Sequence, residues 1–201
     1  RQTAAVYRLA AVATSFMIFP MSTTMKDGPS TTTWRSAVSQ VSARLSADIV
    51  AVRRHLHAYP ELSLQEFATT AYLAERVESL GIAVDLTDQR IGLIGDWQSQ
   101  QTETSPRRIG LRGDIDALPI ATTCSEQYAS RSEGVMHACG HDAHASMVWG
   151  ALAILRELDR QSALPWPVAV RAIFQPAEET SEGGPLMIAA GALQGLSGVL
   201  A

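Results

Sequence analysis

Residues 137–158 read HACGHDAHASMVWGALAILREL, a cluster of histidine, cysteine and aspartate that continues directly into an apolar helical pattern. The spacing of the apolar residues predicts a helix over 142–158. β-type runs stand on both sides of this helix, at 108–112 and at 168–174. Strands that alternate with helices are typical of an α/β layered domain, so the sequence predicts a sheet with helices packed against it.

Further elements are predicted on both sides of this stretch. Apolar residues at spacings of three and four predict a first helix from about Val38 to the breaker Pro60. A second amphipathic helix is predicted from Ser63 to Leu80, with Gly81 as its C-terminal stop. The buried face predicted for this second helix consists of Phe67, Ala71, Leu73, Ala74 and Val77. The remaining predicted elements are strands at 82–86 and 91–97 and a short helix at 185–190 that ends at Gly191.

The composition is that of an ordinary soluble globular protein. Of 201 residues, 46% are hydrophobic and 18% are charged. The net charge of −4 provides no basic surface for phosphates, so we expect no nucleic-acid partner. The two cysteines, Cys124 and Cys139, cannot form a disulfide framework and suit a reducing compartment. The chain starts at Arg1 and stops inside the apolar run 196–201, which predicts a partial sequence.

Residues 1–38 differ in composition from the rest, and we expect them to form a leader or a disordered segment. A basic start, the apolar stretch Leu9 to Phe19 and a Ser/Thr-rich run resemble a secretory signal peptide. The apolar stretch is too short to cross a membrane, so we expect no stable membrane insertion. The expected folded unit is 39–201. A cytoplasmic location is favoured, and a secreted or periplasmic one follows if residues 1–38 include a signal.

The cluster at 137–144 carries the strongest chemical signal. It holds three of the five histidines and one of the two cysteines. Thiolate and neutral imidazole are ligands that divalent transition metals prefer. Cys139 and His141 can point from one side of an extended segment, and Gly140 between them permits a tight turn. The alternative is a helix cap at Asp142 with scattered polar histidines.

Acidic residues follow two of the predicted strands. Glu178 and Glu179 come just after the strand at 168–174, where a nearby metal cation would offset the repulsion between their carboxylates. One carboxylate can then bind the metal while the other accepts a proton from water. The alternative is an exposed acidic loop.

Asp114 and Asp116 alternate after the run at 108–112, so both can lie on one face of an extended segment. An aspartate there can hydrogen-bond the free nitrogen of a ligating histidine. Arg112 can pair with an acidic substrate group or with one of these aspartates. His55 and His57 do not share a helix face, so we expect them to pack or cap at the helix end rather than bind metal.

Four motifs, in this order, resemble the amidohydrolase branch of the M20 metallopeptidases. That branch includes hippurate hydrolases, N-acyl-amino-acid amidohydrolases and auxin-conjugate hydrolases. The resemblance runs from about Val52 to Gly191. The motifs are RRHLHAYPELSLQE at 53–66, LRGDIDALPI at 111–120, GVMHACGHDAH at 134–144 and FQPAEE at 174–179.

The resemblance implies the fold and the site. The fold would be an α/β, three-layer metallopeptidase catalytic domain with a central mixed sheet, incomplete because the inserted dimerisation domain is missing. The cofactors would be two divalent metal ions, zinc or manganese first, with cobalt or nickel as alternatives. Cys139, His141 and Glu179 would be metal ligands, Glu178 the general base, and Asp116 a catalytic residue that supports the site from behind.

The resemblance also implies the reaction. Water activated by the metal would attack the amide carbonyl of an N-acyl amino acid or a related conjugate, and Glu178 would pass the proton to the leaving amine. The substrate is thus a small molecule, and the longer form is expected to be a homodimer. Family members are longer and carry further histidine ligands downstream, so we expect this chain alone to be inactive.

Two alternatives to this hydrolase remain from the sequence. The first is a non-catalytic metal-binding remnant of such a domain, which would bind metal without turnover. The second is a cysteine hydrolase with Cys139 as nucleophile and His141 or His144 as base. The cysteine enzyme would keep its activity in chelator, whereas the metal-dependent enzyme would lose it.

Overall fold

The computed structural model describes residues 31–100 and 106–201. Within these residues, the chain forms four helices and five strands, the composition of an α/β protein. In chain order they are α1 (Thr31–Ala58), α2 (Phe67–Glu78), β1 (Val84–Leu86), β2 (Leu93–Gln98), β3 (Arg108–Asp114), α3 (His141–Arg160), β4 (Ala169–Gln175), α4 (Gly183–Ala189) and β5 (Leu196–Leu200).

The five strands form one mixed sheet in the order β1-β2-β4-β3-β5. β3 is parallel to both β4 and β5, whereas β2 is antiparallel to β4 and β1 is antiparallel to β2. Asp114, at the end of β3, is in register with Gln175, at the end of β4. The segments that follow these two parallel strands therefore leave the sheet at the same edge.

Helices cover both faces of the sheet, which gives the predicted three layers. The larger core lies under α1, α2 and α3, and its fully buried members include Leu73, Leu93, Leu152 and Phe174. A smaller core on the opposite face joins α4 to the sheet through Ile94, Ile173, Met187 and Ala192. Alternate residues of β2 and β4 point to opposite cores because successive strand side chains face opposite sides.

The first helix begins earlier than the sequence predicted. α1 starts at Thr31 rather than near Val38, so residues 31–38 are helical. The remainder of the expected leader, residues 1–30, lies outside the described residues. Among the helices that the structure describes, none has both the length and the apolar character needed to cross a bilayer.

The second helix is shorter than predicted, and part of its predicted buried face was wrong. It begins at Phe67, because the chain turns at Leu64, whose φ is 65°. Leu73 and Val77 are buried, but Phe67 is 56% exposed. Ala71 is exposed as well. At 100° per residue, Phe67 and Ala71 lie well away from the helix face that Leu73 and Val77 present to the core.

Candidate metal centre

Three segments meet at the sheet edge where β3 and β4 end. Residues 114–116 leave β3, residues 176–179 leave β4, and the N-terminus of α3 begins at His141. The carboxyl ends of parallel strands form a crevice where open α/β sheets bind ligands. The N-terminal end of a helix brings a partial positive charge to the same place.

A turn at Gly140 places Cys139 beside His141. Gly140 has φ of 89°, a left-handed conformation that side chains rarely adopt, and His141 is the first residue of α3. The tight turn was predicted, but the extended segment was not correct, because His141 already belongs to the helix. The thiol of Cys139 is exposed, whereas His141 is 2% exposed.

The ring of His141 is held by Asp116. Nδ1 lies 2.9 Å from the backbone oxygen of Asp116 and 3.1 Å from its Oδ1. Both of these atoms accept hydrogen bonds, so Nδ1 carries a hydrogen, and the ring in its neutral form has its lone pair on Nε2. Nε2 faces the two adjacent glutamates that follow β4. It lies 3.7 Å from Oε2 of Glu178 and 3.7 Å from Oε1 of Glu179.

Cys139, His141 and Glu179 present one ligand atom each, all within 4.8 Å of one another. Oε1 of Glu179 is buried and has no hydrogen-bond partner among the described residues. A buried carboxylate oxygen without a partner costs free energy unless a cation or a donor reaches it. Thiolate, imidazole and carboxylate are together a donor set that suits zinc and related divalent ions. The residues present therefore fit a divalent metal.

The charges of the site favour a cation. Burial opposes ionisation of Asp116, but hydrogen bonds from His141, Ser63 and the backbone of Glu179 outweigh it and lower its pKa to about 2. Burial likewise opposes the charge on His141, but the bond to Asp116 and the charge of Asp114 raise its pKa to about 9. The neighbouring carboxylate of Glu179 raises the pKa of the Cys139 thiol. The same negative field stabilises a bound metal ion.

A second group of potential ligands shares His141 with the first. It combines His141 with Asp114 and His144. Both oxygens of Asp114 already have partners, since Nδ1 of His144 lies 2.7 Å from Oδ1 and NH1 of Arg112 lies 3.0 Å from Oδ2. Arg112 thus pairs with an aspartate, one of the two roles that the sequence allowed. A cation at this second group would compete with the guanidinium of Arg112, so the group with Cys139 fits a metal better.

The sequence model of peptidase family M20/M25/M40 matches residues 110–200. An N-acetyl-L-cysteine deacetylase of Bacillus subtilis is 40% identical over 156 residues, which make up 78% of this chain and 36% of that protein. The match places residues 110–200 of the chain in peptidase family M20. The predicted family is therefore confirmed, and the chain spans well under half the length of this relative.

Solved structures agree with the predicted fold. A dinuclear metal-binding M20 peptidase of Bacillus subtilis shares 34% identity with a TM-score of 0.67, over 82% of this chain and 42% of the other. An aminobenzoyl-glutamate utilization protein of Klebsiella pneumoniae has the same fold at 20% identity and a TM-score of 0.58, over 81% of this chain and 44% of the other. The α/β layered architecture with a mixed sheet is thus that of part of an M20 catalytic domain.

The other histidines of this M20 chain do not join the group around His141. Nδ1 of His57 lies 2.8 Å from the buried Oδ2 of Asp142. His55 stacks on Tyr72 with ring centroids 3.8 Å apart. Both residues pack at the end of α1, as expected. His137 is 5% exposed, its ring nitrogens have no partner among the described residues, and burial lowers its pKa to about 4.

Glu66 is a residue of the M20 site region that the sequence analysis did not single out. It is fully buried, and its Oε1 accepts a hydrogen bond of 2.7 Å from the backbone N–H of Ala177. This bond joins residues 111 positions apart, so no local pattern could reveal it. The only signal was its place as the final residue of the motif at 53–66.

Proposed function

We propose that residues 39–201 are the N-terminal portion of a metal-dependent amidohydrolase that cleaves the amide bond of N-acyl amino acids or related conjugates. The observation that carries this proposal is the orphaned, buried Oε1 of Glu179 beside Nε2 of His141 and the thiol of Cys139. Membership of family M20 supports a hydrolase that acts on carbon–nitrogen bonds. The substrate class goes beyond family membership and is part of the proposal.

Cys139, His141 and Glu179 are the proposed ligands, with Asp116 holding the His141 ring from behind. The proposed cofactors are two divalent ions, zinc or manganese first and cobalt or nickel next, with the rest of the ligands on sequence outside this chain. A bound ion supplies Lewis-acid stabilisation of the developing oxyanion and lowers the pKa of a water molecule. Asp116 fixes the tautomer of His141, which leaves Nε2 free to act as a ligand.

Glu178 is the proposed general base. Its side chain is 41% exposed, and Oε2 lies 3.7 Å from Nε2 of His141. The carboxylate thus borders the proposed metal position while remaining open to solvent and substrate. Glu178 takes the proton from the attacking water and delivers it to the nitrogen of the leaving amine. Its neighbour Glu179 faces the same histidine nitrogen, so the two acids divide the roles of base and ligand.

The proposed substrate is a small N-acyl amino acid. Support comes from the relative whose name is N-acetyl-L-cysteine deacetylase. A homodimer is proposed for a protein of the relatives' length. The 201-residue chain alone is proposed to be inactive, because its described residues supply only part of a two-metal ligand set.

The deciding experiment measures hydrolysis of a panel of N-acyl amino acids by a protein of the relatives' length that carries this sequence. We expect release of free amino acid that is lost in chelator, restored by metal, and abolished by Glu178→Gln. Metal binding without turnover would instead identify a non-catalytic remnant of the domain. Hydrolysis by the 201-residue chain itself, abolished by the same substitution, would contradict the proposed inactivity of the short form.

The same assay separates the metal enzyme from a cysteine hydrolase. Glu179 raises the pKa of the Cys139 thiol, whereas a nucleophilic cysteine needs a lowered one. Activity that survives chelator and disappears on alkylation of the thiol would overturn the metal-dependent proposal. Activity that disappears in chelator and returns with added zinc or manganese would support it.

A further inference from the structure

The loop after β4 makes an unusual turn at Ala177. This alanine is fully buried and has φ of 48°, in the left-handed region where a side chain is strained. Its carbonyl oxygen accepts a 3.0 Å hydrogen bond from the N–H of Gly183, and its own N–H donates to Oε1 of Glu66 at 2.7 Å. Such a conformation persists only where the surroundings hold it, so these bonds determine the path of the loop.

Burial of the Glu66 carboxyl, which satisfies one backbone N–H, costs free energy. The residue is 0% exposed, and its Oε2 has no hydrogen-bond partner among the described residues. The charged groups that raise its pKa are Asp116 and Glu61, which are both acidic. A buried carboxylate with a free oxygen and acidic neighbours destabilises the fold by itself. What the side chain provides is an acceptor oxygen for the N–H of Ala177.

A second buried carboxylate holds the other side of the same loop. The N–H of Glu179 donates to Oδ2 of Asp116 at 3.0 Å. Asp116 also accepts a hydrogen bond from Nδ1 of His141, so one side chain holds both the loop and the histidine. Glu178 therefore lies between Ala177 and Glu179, whose backbone N–H groups donate to two different buried acids, Glu66 and Asp116.

We propose that Glu66 is a positioning residue which, through Ala177, sets the backbone from which Glu178 and Glu179 reach the metal centre. This inference rests on the proposed function of that centre. Glu66 belongs to neither group of potential metal ligands, and its side chain accepts the hydrogen bond from the Ala177 N–H. Pro176, just before Ala177, packs closely on the chain before β2, since a Cβ on Gly92 would lie only 2.5 Å from its Cδ.

The test is cobalt binding to the 201-residue chain, because a thiolate ligand gives bound Co²⁺ a charge-transfer band. The main variant is Glu66→Met, which fills the same space without an acceptor. Loss of a partner that orients ligands lowers metal affinity by about tenfold or more, and we expect that drop here. Glu66→Gln should restore affinity close to wild type, because its carbonyl oxygen still accepts from Ala177.

Glu61→Met is the matched control. Glu61 also accepts backbone hydrogen bonds, from Ala68 at 3.1 Å and Thr69 at 2.6 Å, but these lie at the start of α2 and not in the loop. We expect Glu61→Met to leave cobalt affinity unchanged. Equal weakening by both variants, or unchanged affinity in a folded Glu66→Met protein, would overturn the inference. Glu66→Ala replaces the methionine variant should the latter fail to fold.

Amide hydrogen exchange of the metal-free chain provides a readout that needs no metal. We expect Glu66→Met to accelerate exchange at Ala177 and Glu179 by at least about tenfold while core amides stay protected, and Glu66→Gln not to do so. Unchanged exchange at these amides would sink the positioning role. A second outcome separates the two proposals. If exchange responds as expected but the Glu179→Gln variant binds cobalt as tightly as the wild type, the positioning role is supported and the proposed metal centre is contradicted.

Discussion

Nδ1 of His141 lies 3.1 Å from Oδ1 of Asp116, while Oδ2 of the same carboxylate accepts hydrogen bonds from Ser63 at 2.7 Å and from the N–H of Glu179 at 3.0 Å. One buried side chain thus sets the tautomer of a proposed ligand and the backbone of another. Asp116 is 1% exposed, so water cannot take over these bonds. We therefore expect the proposed metal centre to depend on this carboxylate, although it is not one of the proposed ligands.

Asp116→Asn should weaken metal binding by about 10- to 100-fold, the usual cost of losing a partner that orients a ligating histidine. An amide cannot accept on both sides as the carboxylate does, so either His141 keeps only the backbone oxygen of Asp116 or the Glu179 N–H loses its partner. Isothermal titration with zinc measures the effect. Asp88→Asn, at an exposed turn residue, is the control and should bind like wild type. Equal affinities for all three proteins would refute the role of Asp116.

Bound metal should protect Cys139 from alkylation but leave Cys124 reactive. Both thiols are exposed, so the metal-free chain should react at both positions. Only Cys139 belongs to a group of potential ligands, and a metal-bound thiolate is shielded from the reagent. Mass spectrometry after iodoacetamide, with and without zinc, gives the modified fraction at each cysteine. Protection of Cys124 to the same degree would show that zinc acts by some means other than ligation at Cys139.

The architecture could be predicted from the sequence because its signals are local. Apolar runs of strand length and helical spacings at 142–158 depend only on neighbouring residues, and the structure places elements at each of these positions. The ends were less accurate. The predicted helix start at Ser63 was wrong because Leu64 turns the chain and Glu66 is drawn to Ala177 by a contact far along the sequence.

In the candidate site, too, contacts between residues close in sequence could be predicted, whereas contacts that depend on packing could not. Cys139 and His141 are two residues apart, so their association is visible in the sequence, and the four motifs pointed to Glu179 as their partner. The contact of His144 with Asp114 could not be predicted, because it depends on how β3 packs against α3. A Cβ on Gly113 would lie 3.0 Å from the carbonyl carbon of His144, and this close approach brings His144 to Asp114.

Asp142→Ala should destabilise the fold by about 3 kcal/mol, since it removes one side of a buried charge cluster. The carboxylate is fully buried, with Oδ2 2.8 Å from Nε of Arg53 and 2.8 Å from Nδ1 of His57. The variant leaves these groups without their acceptor where α1 meets α3. Urea unfolding followed by circular dichroism measures the loss.

The control for Asp142 is a surface ion pair that joins the same two helices. NH2 of Arg44 lies 3.0 Å from Oε1 of Glu157, with side chains 58% and 30% exposed. Water solvates these charges in either state, so Glu157→Gln should cost less than about 1 kcal/mol. If the two variants lose similar amounts of stability, burial of the Asp142 cluster does not stabilise the contact between α1 and α3.

The buried carboxyl of Glu66 should make wild-type stability fall with rising pH relative to Glu66→Gln. Burial raises its pKa from 4.5 to about 7, and Asp116 and Glu61 add to the rise against the opposing bond from Ala177. The folded protein therefore keeps this proton up to a pH of about 7, whereas the unfolded chain releases it near 4.5. Between these values ionisation favours unfolding, and the loss is complete above the folded pKa.

The expected size of this loss is about 3 kcal/mol between pH 4.5 and pH 8, because each unit of pKa shift corresponds to about 1.4 kcal/mol. Urea unfolding of both proteins in chelator, at several pH values across this range, gives the difference in unfolding free energy. Other titrating groups are common to the two proteins and cancel in that difference. A difference that does not change with pH would mean that Glu66 is ionised in the folded protein throughout, and that the Ala177 N–H stabilises its charge despite burial.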